Sequence, residues 1–142
     1  MSTTFTPDPE LSDLAESLAV DALEIAQTEF EVTLDWSEQS LETLEAMLAG
    51  LYDEFAAEKP DDETLTAYAE RFGSYLGEVL RRHHGGEWGL VKMEGNEFPG
   101  LANQQFGLSW PWAQVHRRLT EGEAHDVAEY YKRLTAGEDR NP

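Results

Sequence analysis

The sequence predicts an α+β fold in which three N-terminal helices pack on a small antiparallel sheet, followed by one or two C-terminal helices. Two observations predict this class. Apolar residues recur at helical spacing as far as residue 84, and after Gly86 they follow the shorter period typical of strands. The chain has 142 residues, no cysteine and 40% hydrophobic residues. A single domain over 1–142 can therefore bury a core without disulfides.

The first two helices follow a segment that we expect to be flexible, residues 1–9, which contains two prolines. The first helix shows one apolar face from Leu11 to Ala26. The second helix is expected to begin at a capping box in which Asp35 or Ser37 is the N-cap and Glu38 reaches back to it. It ends near residue 58, because Pro60 disfavours helix in the residue before it.

The third helix has the clearest boundaries. Asp61 is placed to cap its start, and Gly85 with Gly86 is placed to end it. Gly73 and Gly77 lie four residues apart within it. Charged neighbours exclude a membrane helix, so we predict that another element packs closely over these two glycines, and that Gly77→Leu destabilises the fold by overpacking.

The last third of the chain mixes strands and helices. A strand is predicted over 88–93 and a second over 105–110, with an irregular segment over 96–103 between them. Two helices are then predicted, over 112–119 and 123–134. We expect residues 136–142 to form a flexible tail.

Three motifs in this region resemble a group of small bacterial domains of uncharacterised function. They are G-x-Y-L-G-E-V-L at 73–80, G-G-x-W at 85–88 and P-W-x-x-V-x-R-R-L at 111–119. The resemblance covers about residues 65–135 and implies an α+β fold with helices against a small antiparallel sheet. Related domains occur among candidate antitoxin or immunity proteins. The resemblance supplies no catalytic residues.

Charge is distributed unevenly along the chain, whose net charge is −19. Residues 1–58 contain 15 acidic residues and no Lys or Arg, whereas the remainder contains 14 acidic residues and all 10 basic ones. Nucleic-acid binding depends on cationic contacts to phosphate, so direct nucleic-acid binding is not expected. A field of one sign instead favours a basic protein partner and accelerates its association.

The first two helices are therefore interpreted as an acidic face for a basic protein, with a nuclease-like toxin as one such partner. A variant of this interpretation is mimicry of DNA by regularly spaced carboxylates. Trp36 is a candidate apolar anchor among the carboxylates. The predicted partner-binding residues are Glu24, Glu31, Asp35, Trp36, Glu38, Glu42 and Glu45.

No catalytic residue, cofactor or metal ligand is predicted. The four histidines lack metal-binding spacing, and no nucleophile elbow or phosphate loop is present. The chain carries no apolar run long enough to span a membrane and no signal peptide, so a cytoplasmic protein is expected. The oligomeric state stays open.

Two other functions remain open. An enzyme or small-ligand protein would use a pocket near Trp88, Trp112, His116 and Arg118. Alternatively, the chain is a housekeeping domain whose acidity reflects only solubility or salt adaptation.

Overall fold

The computed structural model describes residues 3–137, in which helices surround one face of a four-stranded antiparallel sheet. The predicted α+β class is confirmed, with three helices ahead of the main part of the sheet. The elements are β1 (Thr3–Pro7), α1 (Pro9–Phe30), α2 (Ser40–Ala57), α3 (Asp62–His84), β2 (Glu87–Met93), β3 (Asn96–Asn103), β4 (Gly107–Ser109), α4 (Pro111–Glu121), a 3-10 turn (Glu123–His125) and α5 (Val127–Thr135).

Helix α3 is the centre of the fold. Every residue from Phe72 to Leu80 is buried, as expected for a helix with neighbours on all sides. Helices α1 and α4 both pack against α3, whereas α2 packs against α4 and α5. The predicted boundaries are confirmed: Asp61 accepts a hydrogen bond from the backbone of Thr64 at 2.8 Å, and Gly85 ends the helix with φ +88°.

The two glycines of α3 are contact points, as predicted. A Cβ atom at Gly73 would lie 2.6 Å from the Cα atom of Trp112, and one at Gly77 would overlap the buried ring of Trp88. Because neither neighbour is the flexible end of a side chain, only glycine fits at these positions without displacing α4 or β2.

Two buried polar residues of α3 hold the indoles of these tryptophans. Ser74 accepts a hydrogen bond from Nε1 of Trp112 at 2.8 Å, and Glu78 accepts one from Nε1 of Trp88 at 2.9 Å. Glu78 also accepts two hydrogen bonds from Arg81, at 2.8 and 2.9 Å. Burial raises the pKa of Glu78, but the hydrogen bonds from Arg81 and Trp88 outweigh burial and hold it below its ordinary value.

The sheet has the order β1-β2-β3-β4 and contains more strand than the sequence predicts. Residues 3–7, expected to be flexible, pair with β2 in the register Phe5↔Val91. Residues 96–103, expected to be irregular, form β3 despite Pro99. Proline is tolerated there because β4 pairs only with Leu101–Asn103, so β3 is locally an edge strand at Pro99.

The other boundaries differ by smaller amounts. The second predicted strand is shorter than expected and covers only Gly107–Ser109. The last predicted helix is interrupted at Asp126, which caps α5 by accepting a hydrogen bond from the backbone of Glu129 at 2.8 Å. Of the predicted tail, residues 138–142 lie outside the described range. No helix within residues 3–137 has the length and apolarity needed to cross a membrane.

Candidate functional site

The candidate site is a cavity of about 370 Å³ at the start of α2, where α2, the end of α3 and α5 meet. Two of the predicted carboxylates, Glu38 and Glu42, line it, and Asp35 lies just before it in the chain. The remaining lining residues are Ser37, Gln39, Leu41, His83, Ala128, Tyr131, Lys132 and Thr135.

The segment between α1 and α2 brings the acidic residues to this cavity. Helix α1 ends where Glu31 adopts a left-handed conformation, φ 55°, and the backbone N–H of Val32 returns to the carbonyl of Ala26 at 3.0 Å. Glu29, in the last turn of α1, accepts a hydrogen bond from Tyr68 near the start of α3. The segment then runs along α3 toward its C-terminal end.

Trp36, the candidate apolar anchor, packs against α3 and remains partly exposed. Its ring stacks on Tyr75 with centroids 5.0 Å apart, and the guanidinium of Arg82 lies 3.8 Å from the ring on a cation–π contact. Its backbone N–H donates to the Tyr75 hydroxyl at 2.8 Å, and its carbonyl lies 2.8 Å from Nε2 of His83. These contacts hold a positive φ of 70°, which is unfavourable for a bulky residue.

The predicted capping box at the start of α2 is not formed. Oδ1 of Asp35 accepts hydrogen bonds from the backbone and hydroxyl of Ser37, at 3.1 and 2.6 Å, and these bonds lower the pKa of Asp35. Ser37 in turn accepts the backbone N–H of Ser40. Glu38 does not reach back to the cap, because its side chain faces α5 and the end of α3.

Glu38 is fixed by two side chains from distant parts of the sequence. Its Oε2 atom accepts hydrogen bonds from the hydroxyl of Tyr131 at 2.5 Å and from Nε2 of His84 at 2.9 Å. The bond from Tyr131, and then that from His84, lowers the pKa of Glu38. Since both bonds go to Oε2 and 46% of the side chain is exposed, Oε1 remains available to an incoming donor.

Glu45 belongs to the interior, so its assignment to a partner-binding face is wrong. Its carboxylate binds Nη2 of Arg118 at 2.8 Å and Nε of Arg118 at 2.9 and 3.0 Å. It also accepts the backbone N–H of Val127 at 3.0 Å. Only 14% of the Glu45 side chain and 4% of the Arg118 side chain are exposed. The ion pair links α4 to α2, and the hydrogen bond from Val127 links the start of α5 to α2.

Three other predicted residues are exposed. Glu42 lies 3.6 Å from Lys132, with both side chains more than 60% exposed, so this contact is weak. Glu31 is exposed at the end of α1, and Glu24 is exposed on the outer side of that helix. The structure therefore gathers Asp35, Glu38 and Glu42 at one end of α2 and leaves Glu24 on a different helix.

Within residues 3–137, ion pairs account for five of the fifteen carboxylates of residues 1–58: Glu16 with Arg81, Asp21 with Arg71, Glu38 with His84, Glu42 with Lys132 and Glu45 with Arg118. The other ten make no ion pair inside that range. Most of the acidic charge that the sequence places in this part of the chain thus faces solvent.

Sequence reasoning missed three residues at this site: Tyr131 and Lys132, which line the cavity, and His84, which donates a hydrogen bond to Glu38. His84 was assigned only to the end of its helix, and Tyr131 only to the core. Their side chains meet Glu38 and Glu42 from 46 and 90 or more positions away in the chain. No periodicity or spacing encodes contacts of that range.

The alternative pocket is not formed by its four predicted residues. Trp88 is buried against Glu78, and Arg118 is turned toward Glu45. Only Trp112 and His116 share a cavity, a smaller one of about 250 Å³ between α3, β3 and α4. Within the described residues, 3–137, no three His, Asp or Glu side chains are placed to hold a metal ion.

These features define the class of the protein as a small α+β domain with an acidic site at the start of its second helix. No family model and no curated protein matches the chain. A solved structure from Bacteroides thetaiotaomicron VPI-5482 is similar to it, with a TM-score of 0.63 and 14% sequence identity. The match covers 95% of this chain and 48% of that one, so this chain spans about half the length of its structural neighbour. At this identity the likeness concerns the fold alone.

Proposed function

We propose that the chain is a non-catalytic cytoplasmic binding protein that docks a basic protein partner at the acidic start of α2. The partner class that fits best is a cationic toxin, such as a nuclease, which the chain would neutralise as an immunity or antitoxin protein. The mechanism is steric occlusion of the partner after electrostatic steering.

The observation that carries this proposal is the arrangement of Glu38. Tyr131 and His84 fix its carboxylate through Oε2, and within residues 3–137 Oε1 accepts no hydrogen bond beside the cavity. Burial, then the bond to Glu38, raises the pKa of Tyr131, so its hydroxyl keeps the donated proton. A carboxylate held in place before binding loses less side-chain entropy when a Lys or Arg of the partner arrives.

Exposed charge around the site supports the same function. Asp35 and Glu42 are both exposed and lie within seven residues of each other on either side of Glu38. Lys132 contacts Glu42 only at 3.6 Å and can be displaced by a partner cation, since exposed pairs of this kind contribute about 0–1 kcal/mol.

The test is affinity capture from the native lysate at low and high salt, comparing wild type with the double variant Glu38→Gln, Glu42→Gln. A matched control is Asp53→Asn, Glu54→Gln, which removes the same charge from the exposed far end of α2. We expect a partner that binds wild type and the control at low salt, is released at high salt, and is lost from the double variant.

Equal recovery of the same proteins by both variants would contradict the proposal. Thermal unfolding followed by circular dichroism establishes that both variants are folded before capture is compared. Isothermal titration of the recovered partner then measures whether the association constant falls with salt, as a steered complex requires.

A further inference from the structure

A second, smaller cavity of about 250 Å³ lies on another side of the molecule, where the first half of α3, strand β3 and the start of α4 meet. It shares no residue with the acidic site described above. Its lining residues are Thr66, Ala69, Glu70, Phe98, Pro99, Trp110, Trp112, Ala113 and His116.

The lining is aromatic rather than aliphatic. It contains two tryptophans and a phenylalanine but no Leu, Ile, Val or Met. The indole of Trp112 is fixed by its hydrogen bond to Ser74, and Gly73 allows the backbone of Trp112 to approach α3. Phe98, which also lines the cavity, is 39% exposed.

The charge at this cavity is negative. Glu70 lines it and, within residues 3–137, makes no ion pair. The neighbouring Arg71 is directed elsewhere, to Asp21 at 3.7 Å and to the carbonyl of Ala67 at 3.1 Å. An aromatic lining with one unpaired carboxylate has the chemistry that attracts a cation through ring quadrupoles and a single opposite charge.

We propose that this cavity is an aromatic cage for a quaternary ammonium group, formed by Phe98, Trp110 and Trp112 with Glu70 as the counter-charge. The ligand class is a small trimethylammonium compound or a trimethylated lysine side chain. The volume suits such a head group better than a larger ligand, since cavities for drug-sized molecules begin near 300 Å³.

The lining distinguishes a quaternary ammonium from other occupants. A primary ammonium carries three N–H donors, which aromatic rings satisfy less well than the water that they would replace. A quaternary ammonium has no N–H donor and meets no such penalty. An anion would face Glu70 in a protein of net charge −19.

The test is a pair of titrations followed by ¹H–¹⁵N NMR, with choline as the cationic probe and 3,3-dimethyl-1-butanol as its neutral isostere. We expect choline to shift the indole N–H signals of Trp110 and Trp112, and the isostere to bind about two- to thirty-fold more weakly, the range of a cation–π contribution. Equal affinity of the two probes, or no shift with choline, would overturn the proposal.

Two variants locate the site. Glu70→Gln removes the counter-charge, whereas the matched Glu97→Gln removes an exposed charge next to Phe98 that does not line the cavity. We expect choline affinity to fall several-fold in the first variant and to change little in the second. Equal effects of the two substitutions would mean that choline responds only to net charge, which would overturn the assignment.

A third arm distinguishes the sources of the ligand. Nε-trimethyllysine amide and choline carry the same head group. Tighter binding of the first identifies a protein side chain as the ligand, and tighter binding of choline identifies a small molecule. Phe98→Leu should weaken both, since it keeps an apolar side chain but removes a ring. This site is independent of the acidic site, so the outcome leaves the partner-binding proposal unaffected.

Discussion

Two regions of the molecule use polar residues in opposite ways. In the seam between α3, β2 and α4, the buried polar residues are few and each has a defined partner: Ser74 binds Trp112, and Glu78 binds Trp88 and Arg81. In residues 1–58 the carboxylates are many, and within residues 3–137 ten of the fifteen make no ion pair.

The buried polar residues of the seam serve packing, whereas we propose that the exposed carboxylates serve recognition. The glycine motif of α3 lies in the seam, where Gly73 and Gly77 allow neighbouring elements to approach and Ser74 and Glu78 bind indoles. The spacing of these four residues is therefore explained by packing in the seam. Most of the exposed carboxylates of residues 1–58 make no such contact within residues 3–137, and the proposed function rests on the acidic charge that they leave exposed.

Glu45 tests this difference between the two regions most directly. It lies in the acidic region, but only 14% of its side chain is exposed. Glu45→Gln should lower the free energy of unfolding by about 3–5 kcal/mol, since it leaves Arg118 charged and buried. Nη1 of Arg118 already lacks a hydrogen-bond partner within residues 3–137. Urea unfolding measures the loss, and Glu42→Gln, expected to change stability by less than about 1 kcal/mol, is the control. A similar loss of unfolding free energy in both variants would contradict the distinction between the paired Glu45 and the exposed Glu42.

The pH dependence of the free energy of unfolding tests the role of Glu78 in the seam. Glu78→Gln should cost about 1.5–3 kcal/mol at neutral pH, the contribution of hydrogen bonds to a charged group. Because the pKa of Glu78 is depressed in the folded state, its contribution is present above its ordinary pKa and is lost as the pH falls through the lower folded value.

Unfolding free energies measured at decreasing pH should therefore fall more steeply for wild type than for Glu78→Gln. The two curves should converge in acid. Parallel curves over the whole acidic range would show that the buried carboxylate does not stabilise the fold through its charge.

Gly77 and Gly50 form a matched pair of helix glycines. Gly77→Ala places a methyl group against the ring of Trp88 and should destabilise the fold by about 1–3 kcal/mol. Gly50 in α2 has nothing within 4 Å of the added Cβ, so Gly50→Ala should stabilise by about 0.5–1 kcal/mol. Thermal melts should therefore shift in opposite directions, and a shared direction would contradict the close packing in the seam.

The smallest expected effect is that of salt on the isolated protein. If the exposed carboxylates serve a partner, the fold should persist at low salt and gain only modestly from molar salt, which screens repulsion between exposed charges. Circular dichroism during a salt titration measures this. A chain that folds only in molar salt would instead support salt adaptation as the origin of its acidity.

The sequence predicted the helices and the seam because both depend on local signals. Apolar periodicity and the cap at Asp61 located α3 within a residue or two, and the spacing of Gly73 and Gly77 predicted close packing. The sequence analysis missed strand β3 because a proline such as Pro99 normally argues against a strand. Only the short reach of β4 makes that proline acceptable.

The candidate site was only partly predictable. Counting charges placed the acidic residues in the right part of the chain, but it could not separate Glu45 from Glu42, three residues apart on one helix. That separation depends on Arg118, 73 positions beyond Glu45. The contacts of Trp36 and Glu38 could not be predicted for the same reason. Their partners are far away in the sequence, at the end of α3 and in α5.

The pairing of β1 with β2 has a consequence for the order in which the chain folds. Phe5 lies opposite Val91, so the edge strand cannot dock until β2 is in place. Closing so long a loop is entropically costly and slow compared with forming the local hairpin of β2 and β3. During refolding, residues 3–7 should therefore be among the last to acquire protection from hydrogen exchange.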